Sequence, residues 1–232
     1  RAARKTPLAE RLLFTKEALE QASAAEVADE RATAFTAFDR VADLGAGIGL
    51  DAIALARAGR RVVAVEKDPV RATLLRHNVE AADVGDRVEV VEGDFLAAPP
   101  AADAAFLDPD RRPSSRRTRD PEDFEPPRSA WAPLARAYAG LLAKLAPGAK
   151  PGAGPCDPFA WVSLAGEMRE ARAGLGSLAP TAGRRVAIVL PAGARVEGTG
   201  IAWPAPRAPR VGDLLLEPDP AVVLADLVGD AA

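Results

Sequence analysis

The chain has 232 residues, 48% of them apolar and 27% charged, and a net charge of −3. That length suffices for one α/β domain with a sizeable core plus smaller additions, and the slight negative charge excludes a global pull toward nucleic acid, so any such pull must come from a local patch. The single cysteine, Cys156, excludes a disulfide framework and a cysteine zinc site and suits a reduced, cytoplasmic setting. No apolar run approaches the roughly 18 residues of a membrane span, so neither a membrane nor a metal is expected as a partner.

Residues 7–31 read as helical, with Leu8, Leu12, Leu19, Ala22 and Val27 recurring near a 3.6 period. Arg40 to Leu44 is an apolar strand running straight into Gly45-Ala46-Gly47-Ile48-Gly49, and Leu50 to Ala58 follows as a helix ended by Gly59. Arg61 to Glu66 is a second strand, Pro69 to Ala82 a helix behind the N-cap residue Asp68, and Arg87 to Glu92 a third strand. A short fourth strand, Ala104 to Leu107, ends at Asp108-Pro109. Residues 109–128 form a long loop rich in proline and arginine. Ser129 to Leu145 is expected as a helix, Phe159 to Leu164 as a strand and Glu167 to Ala173 as a helix. Arg185 to Leu190 is a strand expected to pair near Arg195–Glu197. Leu214 to Leu216 is strand-like, and a helix is expected from about Pro220.

This alternation predicts an α/β, Rossmann-like, doubly wound and mostly parallel seven-stranded sheet with helices on both faces. Residues 1–36 form a helical lead-in, 37–200 the main domain, and 201–232 the start of a small C-terminal extension. The chain starts at Arg1 rather than Met and stops at Ala232, so it is expected to be a piece of a longer protein.

Glycines let a strand turn sharply into a helix and approach a ligand without side-chain clash. A dinucleotide site would space them G-x-G-x-x-G. Here the spacing is G-x-G-x-G, and Asp43 stands two residues before the first glycine. A carboxylate there repels phosphate and suits an ammonium group, which disfavours a nicotinamide cofactor and fits S-adenosylmethionine. Three more acids close successive strands. Glu66 is placed to accept both ribose hydroxyls, Asp94 to accept the adenine amino group while Phe95 packs on the ring, and Asp108 stands beside Pro109. A packing turn explains a lone glycine cluster, but it does not explain four acids at four strand ends, where open α/β sheets bind ligands.

The stretches Val41–Gly49, Val63–Pro69, Arg76–Glu80 and Asp86–Leu96 resemble class I S-adenosylmethionine-dependent methyltransferases, in particular the trimethylguanosine synthase-like RNA cap guanine-N2 group. Asp108–Arg112, Arg116-Arg117, Asp120–Pro127, Trp161–Ala171 and Leu215–Asp219 resemble the bacterial THUMP-like methyltransferases, a family that continues into a small C-terminal domain. The resemblance implies that Asp43, Gly45, Ala46, Gly47 and Gly49 line the methionine part of the cofactor, Glu66 with Lys67 the ribose, and Asp94 with Phe95 the adenine. Phe14-Thr15-Lys16-Glu17 resembles a segment that closes over the cofactor in the cap enzymes, with Lys16 where that segment has proline; an ordinary helix start is the alternative.

Enzymes that methylate exocyclic amines carry D/N-P-P and an aromatic after the fourth strand. Here Asp108 and Pro109 fit and Asp110-Arg111 do not, so Asp108 is expected to orient the acceptor or take its proton. Covalent catalysis is not indicated: Cys156 has no basic partner in sequence, and the lone histidine, His77, sits on a helix. Arg111, Arg112, Arg116, Arg117 and Arg119 follow the motif directly and would grip RNA phosphates, although Asp120, Glu122, Asp123 and Glu125 could neutralise them. The expectation is therefore a methyltransferase acting on an RNA base, with guanine N2 as a candidate atom. The alternatives are a small-molecule methyltransferase and a non-catalytic RNA-binding protein retaining the cofactor fold. The sequence does not specify the oligomeric state.

Overall fold

In the computed structural model, which describes residues 2–111, 122, 124–151, 156–202, 212 and 217–231, five parallel strands make one half of a nine-stranded sheet. These are β1 (Arg40–Leu44), β2 (Arg61–Glu66), β3 (Val88–Glu92), β4 (Ala104–Leu107) and β7 (Gly140–Leu145), ordered β7-β4-β1-β2-β3. β1 is central: Asp43 lies in register with Ala64 of β2 and with Phe106 of β4. Strands covered on both faces need apolar residues at nearly every position, which is why the buried runs of β1, β2 and β4 stand out in the sequence. Between β4 and β7, β5 (Asp110–Arg111) and β6 (Phe124–Glu125) form a two-residue antiparallel pair outside the main sheet.

Helices α1 (Lys16–Gln21), α2 (Ala25–Ala32), α3 (Leu50–Arg57) and α4 (Pro69–Ala81) belong to the first half of the chain. Ala28, Ile53, Leu55 and Leu75 of α2, α3 and α4 pack with Val62 and Phe106 over one face of the sheet. α4 begins where it does because the Asp68 carboxylate accepts from the Arg71 N–H at 2.8 Å and Pro69 fits the first turn. The other face packs against Phe124, against Trp131 and Leu134 of α5 (Trp131–Ala135), and against α6 (Pro220–Leu224). A last helix, α7, covers Val228–Ala231.

The second half of the sheet departs from expectation. It contains β8 (Pro158–Leu164), β9 (Glu167–Gly176), β10 (Arg185–Leu190) and β11 (Ala194–Gly198), in the order β11-β10-β8-β9-β7. β9 runs antiparallel to both β7 and β8, β8 is parallel to β10, and β11 closes the edge antiparallel to β10 as expected. The sheet is therefore mixed and nine-stranded rather than seven-stranded.

The helix expected over 129–145 shrinks to Trp131–Ala135, and Gly140–Leu145 is the strand between β4 and β9. A short apolar run has no decisive period; close packing decides it, since a Cβ on Gly140 would lie 2.8 Å from Leu178 and Ser177. The helix expected over 167–173 is instead a strand, because Ala165 and Gly166 both take positive φ and form a two-residue hairpin turn. The single helix expected over 7–31 is two short ones, broken at 22–24. The strand-like run at Leu214–Leu216 lies outside the described residues.

Candidate active site

The glycine loop leaves β1 with positive φ at Gly45, Gly47 and Gly49. Two of these glycines are required by contact as well as by φ. A Cβ on Gly49 would meet Leu75 Cδ1 at 2.3 Å, and one on Gly45 would stand 3.5 Å from the Asp108 carbonyl oxygen and 4.0 Å from the Phe95 ring. The loop's N–H groups are turned inward. Those of Gly45 and Ala46 both donate to the Val65 carbonyl at 3.0 Å, that of Gly49 donates to the Ala46 carbonyl at 2.9 Å, and that of Gly47 donates to the Glu66 carboxylate at 2.8 Å. A pyrophosphate cradle needs such groups pointing at the ligand; here four of them are already committed.

Glu66, Asp94 and Asp108, joined by Asp51 of α3, line the cleft in front of this loop, whereas Asp43 and Gly49 are not among its lining residues. Glu66, buried at the end of β2, accepts from Gly47 and from the Asp68 N–H at 2.9 Å, one bond to each oxygen. Each oxygen keeps a further acceptor site, so the side chain is fixed and still able to bind hydroxyl groups. Asp43 is 1% exposed, and neither of its carboxylate oxygens has a hydrogen-bond partner among the described residues. Burial, and after it the charges of Asp51 and Asp108, push its pKa well above the ordinary carboxylate range. An orphaned buried carboxylate is costly, and a ligand ammonium would satisfy it. Asp94 has one oxygen engaged by the Leu96 N–H at 2.8 Å, and Phe95 lines the same cleft. Ala46 and Lys67 also line it; exposed Lys67 forms an ion pair with Glu125. α1, capped by Thr15, contributes Ala18 and Gln21, so the segment at residues 14–17 is a helix start whose helix borders the cleft.

Asp108 ends β4 between this cleft and a second cavity, beside buried Pro109. Lys144 of β7 donates to its Oδ2 at 2.6 Å. Burial alone would lower the Lys144 pKa, but the neighbouring carboxylates, Asp108 first, outweigh it and hold the ammonium above its usual value. The side chain of Arg111 and all of Arg112, Arg116, Arg117 and Arg119 lie outside the described residues.

Two groups of residues were not anticipated. Arg31, 2% exposed, ion-pairs with Asp51 of α3 and Glu170 of β9, donates to Ser23 Oγ at 3.0 Å and stacks 4.5 Å from the Phe106 ring centroid. Despite its burial, Glu170 is held down to about 2 by Arg31 and then Arg172. Buried Asn78 donates to the Leu13 and Ile48 carbonyls at 2.8 and 2.9 Å and accepts from the Leu13 N–H at 2.7 Å, tying the N-terminal segment to the glycine loop through α4. A polar residue on the apolar face of a helix was the available signal for both Arg31 and Asn78. Cys156 is buried, which raises its thiol pKa, and His77 is exposed on α4; neither lines the cleft. Among the described residues, no helix is long and apolar enough to cross a membrane, and no cluster of His, Cys, Asp and Glu is arranged to hold a metal.

Residues 21–105 match the TRM5/TYW2 methyltransferase domain family. The chain is 34% identical over 223 residues to a Mycobacterium tuberculosis protein named as an uncharacterized S-adenosylmethionine-dependent methyltransferase, a match covering 93% of the chain and 60% of that relative. It thus spans about three fifths of the length of the curated relative it matches. A shorter stretch of 56 residues is 44% identical to the ribosomal protein L11 methyltransferase of Desulfitobacterium hafniense, covering 24% of the chain and 18% of that protein. A solved structure from Porphyromonas gingivalis W83, named as a candidate methyltransferase, superposes with a TM-score of 0.59 at 24% identity over 72% of the chain and 44% of that structure, which shows the Rossmann-like methyltransferase fold.

Proposed function

We propose that this chain is a class I S-adenosylmethionine-dependent methyltransferase that methylates an RNA base, with guanine N2 as the candidate atom. The observation that carries the cofactor half of this reading is the pairing of an inward-bonded glycine loop with the orphaned carboxylate of Asp43. That combination rejects phosphate and accepts a cation. In the reading, Asp43 and the loop residues Gly45, Ala46, Gly47 and Gly49 hold the methionine end, Glu66 and Lys67 the ribose, and Asp94 and Phe95 the adenine. The cofactor, when bound, supplies a methyl group activated on a sulfonium.

The chain's own contribution is alignment, which can supply most of the rate of a methyl transfer. Asp108 and Pro109 stand where the cofactor cleft meets the second cavity. Lys144 engages Asp108 Oδ2, and Oδ1 has no hydrogen bond among the described residues, so Oδ1 is available to accept an amino hydrogen of the acceptor. The contact with Lys144 fixes the Asp108 side chain in place, which suits a role in orienting the acceptor. The five arginines of 111–119 support RNA as the acceptor through their sequence position beside this motif. Likeness to THUMP-like and cap guanine-N2 enzymes belongs to the same reading.

The test is tritium transfer from labelled S-adenosylmethionine into total RNA. Wild type is expected to label RNA, and Asp108→Ala to label it at least about tenfold less. Equal labelling by both refutes the role of Asp108; no labelling by either, with cofactor bound, refutes RNA as the acceptor.

A further inference from the structure

The second cavity shares only Gln21, Ala22 and Asp108 with the cofactor cleft. Four cations from separate segments reach its wall: Lys5, Lys16, Lys144 and Arg169. Their compensation is uneven. Lys144 is matched by Asp108 at 2.6 Å and Arg169 by Glu167 at 2.9 Å, while Glu170 is taken up by Arg31 and Arg172. The Lys5 ammonium is held by uncharged groups, donating to the carbonyl oxygens of Glu20, at 2.9 Å, and of Ala22. Its pKa is lowered by burial and then by the positive charges of Lys144 and Arg169, with the Glu20 carboxylate opposing. Lys5, Lys144 and Arg169 thus line one cavity, with the charges of Lys144 and Arg169 both felt at Lys5. Lys16 forms no ion pair among the described residues.

We propose that Lys5, Lys144 and Arg169 form a seat for a phosphate of the acceptor nucleotide, holding its base at Asp108. A phosphate presents several terminal oxygens and can accept from three separated donors at once; a guanidinium adds a bidentate fork, and ammonium groups add point charges. The two compartments then differ in their charge balance. Carboxylates outnumber cations in the lining of the cleft, and in the cavity beyond Asp108 Lys5, Lys16, Lys144 and Arg169 stand beside Glu20, Asp108, Glu167 and Glu170, so that Lys5, held by carbonyls, is the cation left for an anionic acceptor. This inference rests on RNA being the acceptor, and it places the phosphate contact on parts of the chain remote in sequence from the 111–119 arginines.

The experiment is calorimetric titration of the chain saturated with S-adenosylhomocysteine, using guanosine 5′-monophosphate, guanosine and inorganic phosphate as separate probes. The monophosphate is expected to bind at least about tenfold tighter than guanosine. Lys5→Gln and Arg169→Gln should each weaken the monophosphate about three- to tenfold and leave guanosine unchanged. Arg169 is partly exposed, so its variant keeps the test intact if Lys5→Gln fails to fold; unchanged affinity for S-adenosylhomocysteine certifies the fold. Equal binding of guanosine and its monophosphate, absence of monophosphate binding, or full monophosphate affinity in Arg169→Gln overturns the seat. Inorganic phosphate binding as tightly as the monophosphate identifies a free-anion site and overturns the acceptor assignment. RNA labelling with no phosphate contribution removes the seat and leaves the methyltransferase reading standing. A working seat with no RNA labelling does the reverse.

Discussion

Replacing Arg31 with methionine tests the buried charge network. Met can keep the contact with Phe106, but it supplies none of the donors that reach Asp51, Glu170 and Ser23. Glu170 would retain the Arg172 Nε at 2.7 Å, and Asp51 the Ser23 hydroxyl at 3.3 Å. Removing one partner of a buried pair costs about 3–5 kcal/mol, because the other charge stays desolvated. Glu170 gives a second route to the size. Its carboxyl is held at about 2 against an ordinary 4.5, a difference corresponding to about 3 kcal/mol. A depressed carboxyl contributes stability that is full above its unfolded pKa and is lost as the pH falls toward its folded one. The contribution therefore holds above about pH 4.5 and fades toward about pH 2. Urea unfolding, followed by the fluorescence of buried Trp131 and Trp161, should show the full loss near pH 7 and a much smaller one near pH 3, where the mutant can protonate its orphaned acids. A loss below about 1 kcal/mol at pH 7, the size of a surface ion pair, or one that does not change with pH, would refute the reasoning.

Asn78→Ala leaves the Leu13 amide and the Leu13 and Ile48 carbonyls without their partner; it should cost about 2–4 kcal/mol in thermal unfolding, and a change within 0.5 kcal/mol, roughly a surface effect, would contradict the tie. Glu66→Gln sets an amide NH2 against the N–H of Gly47 or Asp68 and is expected to weaken S-adenosylhomocysteine at least about tenfold with an unchanged circular dichroism spectrum; affinity within twofold of wild type, roughly the experimental scatter, would remove Glu66 from the site. For Asp43 the linkage runs opposite to that of Glu170. Burial, then Asp51 and Asp108, raise its pKa, so its ionised form destabilises the free protein increasingly as pH rises above 3.8, the ordinary value. A bound ammonium relieves that penalty, so S-adenosylhomocysteine affinity should rise with pH through the acidic range and binding should release protons, read as a buffer-dependent calorimetric enthalpy. An affinity that is flat with pH and a buffer-independent enthalpy would detach Asp43 from the ligand's amino group.

β1 to β4 were legible because they are short apolar runs, each ending in an acid or a glycine, whereas β7 was expected as part of a helix. That pattern also pointed to the cleft: Glu66, Asp94 and Asp108, at the ends of strands that the sheet places near one another, line it, while Asp43 on the central strand is not among its lining residues. In the second half, β8, β10 and the pairing of β10 with β11 were legible as well, and β9 was not. The helix-forming residues Glu167 to Ala171 lie in a strand because a two-residue turn and a partner on each side fix them there. Lys144 fell within the helix expected over 129–145 and is instead the cation on Asp108, since Gly140 to Leu145 pairs with β4. The buried partnership of Arg31 with Glu170 joins residues 139 positions apart, a separation that no local pattern carries.

Leu75 sits within 2.3 Å of where a side chain on Gly49 would begin, and three residues later Asn78 holds the carbonyl of Ile48. The turn that borders the cleft is thus shaped from behind by α4. Its bend is borrowed rather than intrinsic. Small changes in volume or polarity on that hidden side should then surface as altered ligand affinity before they surface as unfolding. A genetic screen for cofactor-binding defects would recover Leu75 and Asn78 among its hits, and a map drawn from direct contacts alone would leave them unexplained.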